Sequence, residues 1–443
     1  SMAGTDGRAG KMYYLDFTNN NKPYVLEEMN NNMGSITRVQ YGSSIEHYLR
    51  DEKNPETRWK TELPFSVQVV NQVEVLDLLS GGKLSTQYTY HHGYWDGAER
   101  EFRGFGRVDT LDTETFEQFN TNELFSSLPS AEEGTSEIAF NGITSEQYTP
   151  PIQTRSWFEP GPVGTDFTRW HEVNFSHEYW QGDENVLERT QEMKTLLASL
   201  PRRARRDALR TLRGTLLRSE TYGLDGSPLQ DRPYTVSESL MSVRLEFNPE
   251  TDPPLFAGWE TSGQGYWAGT GYVFFPFSVG QRTSQYERGN DPMHSMSFVK
   301  DYDAYGQTLG QLSVGLPRGS SPQSGGNGQY LATYGESEFI YVDLEDGQYM
   351  VDRVKRSRSF DATKLANSTS VFAFRDVIFY DPTALPVIGC SLNFYDGDAF
   401  EGLPYGEIGE YGAAVRSEAL VLTDSIISDV YDTDTPECFK TTP

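Results

Sequence analysis

The chain is 443 residues long, 36% hydrophobic and 13% aromatic, with a formal net charge of −27. That length exceeds one ordinary core, so two or three packing units or one elongated architecture is expected, and the aromatic content excludes a disordered chain. The acidic field excludes a nucleic-acid backbone as partner, and Cys390 and Cys438 alone are too few for a disulfide framework or a cysteine zinc site.

Ser1-Met2-Ala3-Gly4 reads as a cloning remnant rather than a signal peptide. Lys11 to Phe17 and Thr37 to Tyr41 predict short strands. Phe65 to Leu76 is mostly period two, and Leu84, Thr86, Tyr88 and Tyr90 share one parity in a strand that runs to His92. An apolar or aromatic residue then precedes Asp-Gly at Trp95-Asp96-Gly97, Leu224-Asp225-Gly226 and Tyr395-Asp396-Gly397. Glu345-Asp346-Gly347 and the looser Tyr302-Asp303-Ala304-Tyr305-Gly306 belong with them. Asp-Gly tolerates the positive φ of tight hairpins, and its recurrence between β-type segments predicts a serial array of hairpins.

Val186 to Arg218 breaks the pattern. Met193, Leu196, Leu197 and Leu200 form one helical stripe; Ala204, Ala208, Leu209, Leu212 and Leu216 form a second, with Pro201 suited to the first turn between them. Two helices joined near Ser199-Leu200 are expected. Ser127 to Pro151, Pro249 to Gly271 and the Gly/Ser-rich Pro317 to Gly328 predict loops. Thr433 to Pro443 reads as the start of a linker, so the chain is expected to be a piece of a longer polypeptide. No run of about 18 apolar residues predicts a transmembrane helix.

Chemistry-bearing motifs are sparse. His91 and His92 are adjacent on a predicted strand and should face opposite ways. His177-Glu178 lacks the second histidine of a zincin site. Gly263-Gln264-Gly265-Tyr266-Trp267-Ala268 has the spacing of a dinucleotide loop but no following helix. Asp301-Tyr302-Asp303 lacks the remaining ligands of a calcium loop. Glu99 and Glu101 could form a carboxylate pair, although Arg100 and Arg103 beside them suit a salt-bridge cluster equally well. Asn174-Phe175-Ser176 and Asn367-Ser368-Thr369 are glycosylation sequons. No catalytic residue, metal ligand or cofactor is expected. Arg202, Arg203, Arg205, Arg206, Arg210 and Arg213 form a candidate interaction patch. It would dock on an acidic surface, either a partner's or this protein's own, or else be a solvated face with pairs such as Arg203 and Asp207.

Longer motifs are more specific. Tyr90 to Val108 reads YHHGYWDGAEREFRGFGRV, a hairpin signature that includes His91, His92, Trp95, Asp96, Gly97, Glu99, Arg100, Phe102, Arg103, Gly104 and Phe105. Pro201 to Arg213 reads PRRARRDALRTLR, Gln230 to Val236 QDRPYTV, and Leu392 to Ala413 LNFYDGDAFEGLPYGEIGEYGA. Trp59 to Val70 (WKTELPFSVQVV) and Trp157 to Gly164 (WFEPGPVG) fit the same set. Together they resemble the middle region of the B component of Tc (toxin complex) insecticidal toxins, shared with SpvB-type virulence proteins. Tyr302 to Gln307 resembles the core of a YD repeat of Rhs shell proteins.

The resemblance implies a mainly β fold, an antiparallel hairpin strip of Rhs/YD-repeat shell type with an inserted basic helical hairpin. It divides the chain into the end of a preceding β-propeller (1–30, where Thr5 to Asp16 resembles the tail of a last blade), a β-rich shell segment (31–185), a helical hairpin insertion (186–218) and a YD-like shell segment (219–443). It implies a secreted, non-enzymatic structural piece of a toxin complex. Such a piece would form part of a cocoon around a cytotoxic effector, with the C component and its effector as partners and an A-component channel reached through the propeller. The competing readings are a protein- or glycan-binding module using the basic helix or an aromatic face, and a glycosidase using Glu99 and Glu101.

Overall fold

The computed structural model describes residues 24–79, 82–113, 144, 148–252, 271–325, 328–343, 348–363, 370–423, 427–428 and 430. The expected strand Lys11 to Phe17, the propeller tail, most of the first two loops, Glu345-Asp346-Gly347, the Gly263 to Ala268 motif, the second sequon and Cys438 lie outside the described residues.

Six strands come first: β1 (Glu28–Asn30), β2 (Ser35–Ser43), β3 (Gln68–Asp77), β4 (Gly82–Asp96), β5 (Glu101–Leu111) and β6 (Ile152–Phe158). Helix α1 (Ser44–Asp51) interrupts them after β2. An excursion carries β7 (Val163–Gly164), β8 (Trp170–His171), α2 (Gln191–Ser199) and α3 (Arg202–Arg210). Then follow β9 (Leu216–Gly223), β10 (Thr235–Phe247), β11 (Val273–Gln285), β12 (Met293–Tyr302), β13 (Thr308–Gly315), β14 (Leu331–Asp343) and β15 (Tyr349–Asp361). Helix α4 (Val371–Tyr380), β16 (Val387–Tyr395) and β17 (Ala414–Ala419) close the order.

All but β7 and β8 join one 15-stranded sheet, in strict chain order, with β9 beside β6. Among the described residues every pairing is antiparallel, so the sheet is a continuous meander from β1 to β17. This is the serial hairpin array expected from the turns. Register shifts interrupt the ladder, for example at Gly93/Trp95, Leu240/Met241 and Glu338/Phe339. Such bulges add local twist, which a sheet of this width needs if it is not to lie flat.

The Asp-Gly device works differently from a two-residue hairpin. Asp96 Oδ1 accepts from the backbone N–H groups of Ala98 and Glu99, and the positive φ in that turn falls on Arg100 (56°) rather than on Gly97. Asp303 Oδ1 accepts from Tyr305 and Gln307, with Gly306 at φ 84°. Asp396 accepts from Gly409, Gly412 and Ala413, closing a wide loop. The aspartate carboxylate caps the turn's N–H groups, and that organises turns of several lengths.

The sequence reading found neither α1 nor α4. Ser43 caps α1 by accepting from Ile45, and Ser370 caps α4 by accepting from Ala373. The α4 sequence, VFAFRDVIFY, is aromatic and β-branched, which locally favours a strand; packing overrides that preference. Its Val371, Phe374 and Ile378 bury against Met296, Phe298, Leu312, Val314, Ala332, Tyr334 and Phe360 of β12–β15. Each such side chain contributes roughly 1.5–3 kcal/mol of burial. Pro317 to Gly325 is also more ordered than its composition suggests: Ser321 and Gly325 exchange backbone hydrogen bonds, and Val371 donates to Pro322 O.

The helices α2 and α3 meet at Leu200-Pro201, where Pro201 takes the N-cap position and its carbonyl accepts from Arg205. Met193, Leu197, Leu200, Ala204, Ala208, Leu209 and Leu212 bury with Trp170, Val243 and Phe274. Leu216, read as the end of the second stripe, opens β9 instead.

Candidate functional site

The signature hairpin β4–β5 and the basic helix α3 come together in one charge cluster with a buried centre. Arg206 Nη2 donates to Asp96 Oδ2 at 2.6 Å, and Nη1 to Glu99 Oε1 at 2.8 Å. Arg103 donates to the same Asp96 oxygen and to the carbonyls of Pro160 and Pro162. Arg210 Nη2 reaches Glu101 Oε2 at 3.0 Å and Arg213 Nε reaches Glu101 Oε1 at 2.7 Å. Asp207 lies 3.8 Å from Arg206 Nη1. Four guanidinium groups thus face four carboxylates; Arg103, Arg206 and Asp96 form a buried centre, while Glu99, Glu101, Asp207, Arg210 and Arg213 are partly exposed around it.

The other arginines of the patch also turn to this molecule. Arg202 donates to the carbonyls of Thr168 and Trp170 and stands over the Trp170 ring. Arg203 lies over Phe167, not on Asp207, and Arg205 reaches the carbonyls of Ala198 and Leu200 at 3.4 Å. Around the hairpin, Trp95 meets Phe65 edge-on, Phe102 meets Phe105, and Phe105 packs against Trp59 and Tyr90. Gly104 takes φ 80°, and neither it nor Gly97 has a neighbour a Cβ would meet.

Glu99 and Glu101 are therefore held by arginines. Burial of Glu101 opposes its ionisation, but the hydrogen bonds of Arg210 and Arg213 outweigh that and hold its pKa below the ordinary value. A general acid near neutral pH needs the opposite shift.

A second cluster surrounds the histidine pair. His91 Nδ1 lies 2.7 Å from Asp51 Oδ2, which also accepts from Trp59 Nε1. His92 Nε2 lies 2.7 Å from Glu178 Oε1, while Trp157 Nε1 and Arg107 bond Glu178 Oε2. The two rings sit only 6.3 Å apart, so they do not diverge as strand alternation predicts. His92 is at φ 57°, and this left-handed residue breaks the alternation. Desolvation resists the charge on Glu178, but His92, Trp157 and Arg107 pull its pKa down to about 2. Desolvation likewise opposes the charge on Asp109, and His91 and Arg107 bring it to about 2.

A third cluster joins three strands to the excursion. Arg218 on β9 and Arg282 on β11 both bond Asp183 and Glu238, and Arg218 also bonds Glu220. Tyr286 donates to Asp183 and Tyr222 to Glu220. Sequence reasoning missed this cluster, and it saw Glu178 only as half of an incomplete zincin motif and not as the partner of His92 and Trp157. One signal was present: Glu238 shares parity with Val236, Leu240 and Ser242, so a charge stood in a row of core positions.

Among the described residues, no group of three or more His, Cys, Asp or Glu side chains could hold a metal ion. Asp303, of the calcium-like motif, gives its oxygens to Tyr305, Gln307 and Tyr341.

Residues 9–126 match the insecticide toxin TcdB middle/N-terminal region, and residues 207–259 match the TcdB middle/C-terminal region. Two stretches of the chain are thus similar to the TcdB middle region. The first matched stretch holds the signature hairpin, and the second begins inside α3, so it takes in Asp207, Arg210 and Arg213 of the first cluster but not Arg206. The fold is similar to that of the TcdB2-TccC3 crystal structure, with a TM-score of 0.64 at 23% identity, covering 93% of this chain and 19% of that chain. It is also similar to the Photorhabdus luminescens Tc holotoxin pore, with a TM-score of 0.65 at 24% identity, covering 94% of this chain and 18% of that chain. A TcdB2-TccC3 structure without the hypervariable C-terminal region gives 0.66 at 24% identity, covering 94% and 19%. The chain thus spans about a fifth of the length of the chains in these structures, 18–19%. No match was found among curated proteins.

Proposed function

We propose that this chain is a non-catalytic wall segment of a secreted toxin-complex B component, forming part of the β-sheet cocoon that encloses a cytotoxic effector. The observation that carries this reading is the unbroken antiparallel sheet of 15 strands in chain order, in a chain with two stretches similar to the TcdB middle region. Among the described residues the sheet ends at β1 and β17, and edge strands invite further pairing. The neighbouring parts of the B component and the C component would supply it, and an A-component channel would be reached through the upstream propeller. On this reading 31–185 and 219–443 are two stretches of one wall, 186–218 is the basic insertion, and 1–30 ends the propeller. The arginine patch serves as an internal clamp, since Arg206, Arg210 and Arg213 bond the hairpin's carboxylates.

The test is protease protection. The polypeptide carrying this segment, assembled with its C component, should shield the effector from added protease, and removal of 219–419 should expose it. Undiminished protection after that deletion would sink the proposal.

A further inference from the structure

The helices of this fold do not all dock in the same way. Helices α2 and α3 bury Met193, Leu197, Ala204 and Leu209, and α4 buries Val371, Phe374 and Ile378. Helix α1 does the reverse. Its buried residues are Ser44, His47 and Asp51, at the spacing of one helical face, while Ile45, Tyr48 and Leu49 are exposed. Apart from ring contacts of Tyr48 with Trp59 and of His47 with Tyr90, polar bonds hold α1 to the sheet. Ser44 donates its backbone N–H to Val67 O and accepts from Val67 at its hydroxyl. His47 Nε2 lies 3.1 Å from Asn71 Oδ1 on β3, and Asp51 Oδ2 takes Trp59 Nε1 and His91 Nδ1. Apolar burial does not depend on pH, but a polar joint built around imidazoles does.

The proton positions at this joint follow from the neighbours of each ring. Arg50 Nη1 donates to His47 Nδ1, so the proton of His47 sits on Nε2 and goes to Asn71. His92 Nδ1 accepts the backbone N–H of Lys60, which places a proton on Nε2, towards Glu178. His91 differs from both. Its Nδ1 lies 2.7 Å from Asp51 Oδ2 and its Nε2 3.7 Å from Asp109 Oδ2, and both aspartates are buried. A carboxylate only accepts, so each ring nitrogen needs an N–H, and a ring with two is an imidazolium. The other charges nearby are Arg50 and Arg107, which bond Asp51 and Asp109, and Glu178 beyond Arg107. Burial opposes the charge on His91, but Asp109 and Asp51 raise its pKa above the ordinary 6.5. Burial, with Arg50 and His91, lowers that of His47 against the bond to Asn71.

We propose that α1 is a pH-sensitive latch, docked while His91 carries two protons between Asp51 and Asp109 and released when the ring gives one of them to solvent. Neutral His91 can still meet Asp51 with one N–H, but its Nε2 lone pair then faces Asp109, and the two buried carboxylates lose the cation between them. Arg107 keeps Asp109 on the sheet through two bonds. The cation left to Asp51 is Arg50, which belongs to α1 itself. The loss therefore falls on the joint between α1 and the sheet. A folded pKa above 6.5 means that this stabilisation is whole below about pH 6.5 and disappears as pH rises through the folded value. His47 has the opposite sign and weakens the joint only as pH falls below that point.

Hydrogen–deuterium exchange of the whole chain tests this, read as protection factors so that the intrinsic rise of exchange with pH is removed. Between about pH 6.5 and about pH 9, protection across 48–52 should fall on the order of tenfold while that of β12–β14 stays unchanged. In His91→Gln, protection across 48–52 should be low throughout and independent of pH. Protection that holds in the parent, a loss that spreads to β12–β14, or a loss of the same size and midpoint in His91→Gln each overturns the latch. Where His91→Gln does not fold, nitrogen NMR of the parent's His91 ring decides. Two protonated ring nitrogens near pH 6.5, with one proton lost at the midpoint of the α1 transition, support the latch; a single proton at that pH, or a different midpoint, overturns it.

Discussion

Arg206 Nη2 donates to Asp96 Oδ2 across 2.6 Å, although 110 residues of chain separate them. Both side chains are buried. The bond closes the loop that contains β5, β6 and the whole excursion, and ties α3 to the signature hairpin. Arg103 shares the same oxygen, so one carboxylate holds two guanidinium groups in place.

Asp96→Ala strands both arginines and should destabilise the fold by about 3–5 kcal/mol, measured by urea denaturation. Arg206→Met should cost less, because Asp96 keeps Arg103. A double-mutant cycle on Asp96→Asn and Arg206→Met should show coupling of about 0.5–3 kcal/mol, and additive losses would mean the pair does not act as a unit.

Acid should release the Glu178 cluster. The folded pKa of Glu178, about 2, lies below its ordinary 4.5. Its stabilisation is therefore complete above about pH 4.5 and disappears as pH falls towards 2, a loss on the order of 3 kcal/mol. His91 acts in the opposite sense: burial opposes its charge, but bonds to Asp109 and Asp51 raise its pKa, so its contribution fades as pH rises through the folded value. Stability of Glu178→Gln, measured from pH 2 to 5, should fall less steeply than that of the parent. Parallel curves would remove Glu178 as the cause.

His294 predicts a different window. It is buried on β12 with Nδ1 2.8 Å from Ser284 Oγ. Burial, followed by repulsion from Arg282, lowers its pKa to about 4, against the weaker pull of Asp183 and Asp291. The unfolded chain binds this proton from about pH 6.5 downward, so stability is full above that and drains as pH falls to 4. His294→Asn should flatten the stability curve between those values. A titration of the His294 ring by NMR showing an ordinary midpoint would contradict this.

Asp396→Ala removes one carboxylate that accepts three backbone N–H groups, those of Gly409, Gly412 and Ala413. Each lost bond costs about 0.5–1.5 kcal/mol where water cannot replace it. The loss should appear as faster amide exchange in 404–413 with β12–β14 unchanged. Unaltered exchange in that loop would show that the turn holds without its cap.

The strands around Thr37, Phe65 and Leu84 were legible because alternation is a property of neighbours along the chain. The Asp-Gly turns were legible too, since the capping aspartate lies within the turn it organises. α4 was not, because its aromatic and β-branched residues favour a strand until the β12–β15 face is there to pack against. The role of Arg206 was only half legible. Helical spacing showed a basic face, and an acidic surface of this protein was one of its candidate docks. Nothing local could single out Asp96.

By itself, the sequence determined period, turn chemistry and a family resemblance, all carried by short spans of chain. Only the tertiary structure decided which partners each charge would have. It was register that put Ser219, Ser237 and Ser295 on one face and Arg218, Glu238 and Arg282 in buried clusters on the other. The physical reason is range: alternation is set within two residues, whereas a buried ion pair needs partners the chain brings together only on folding.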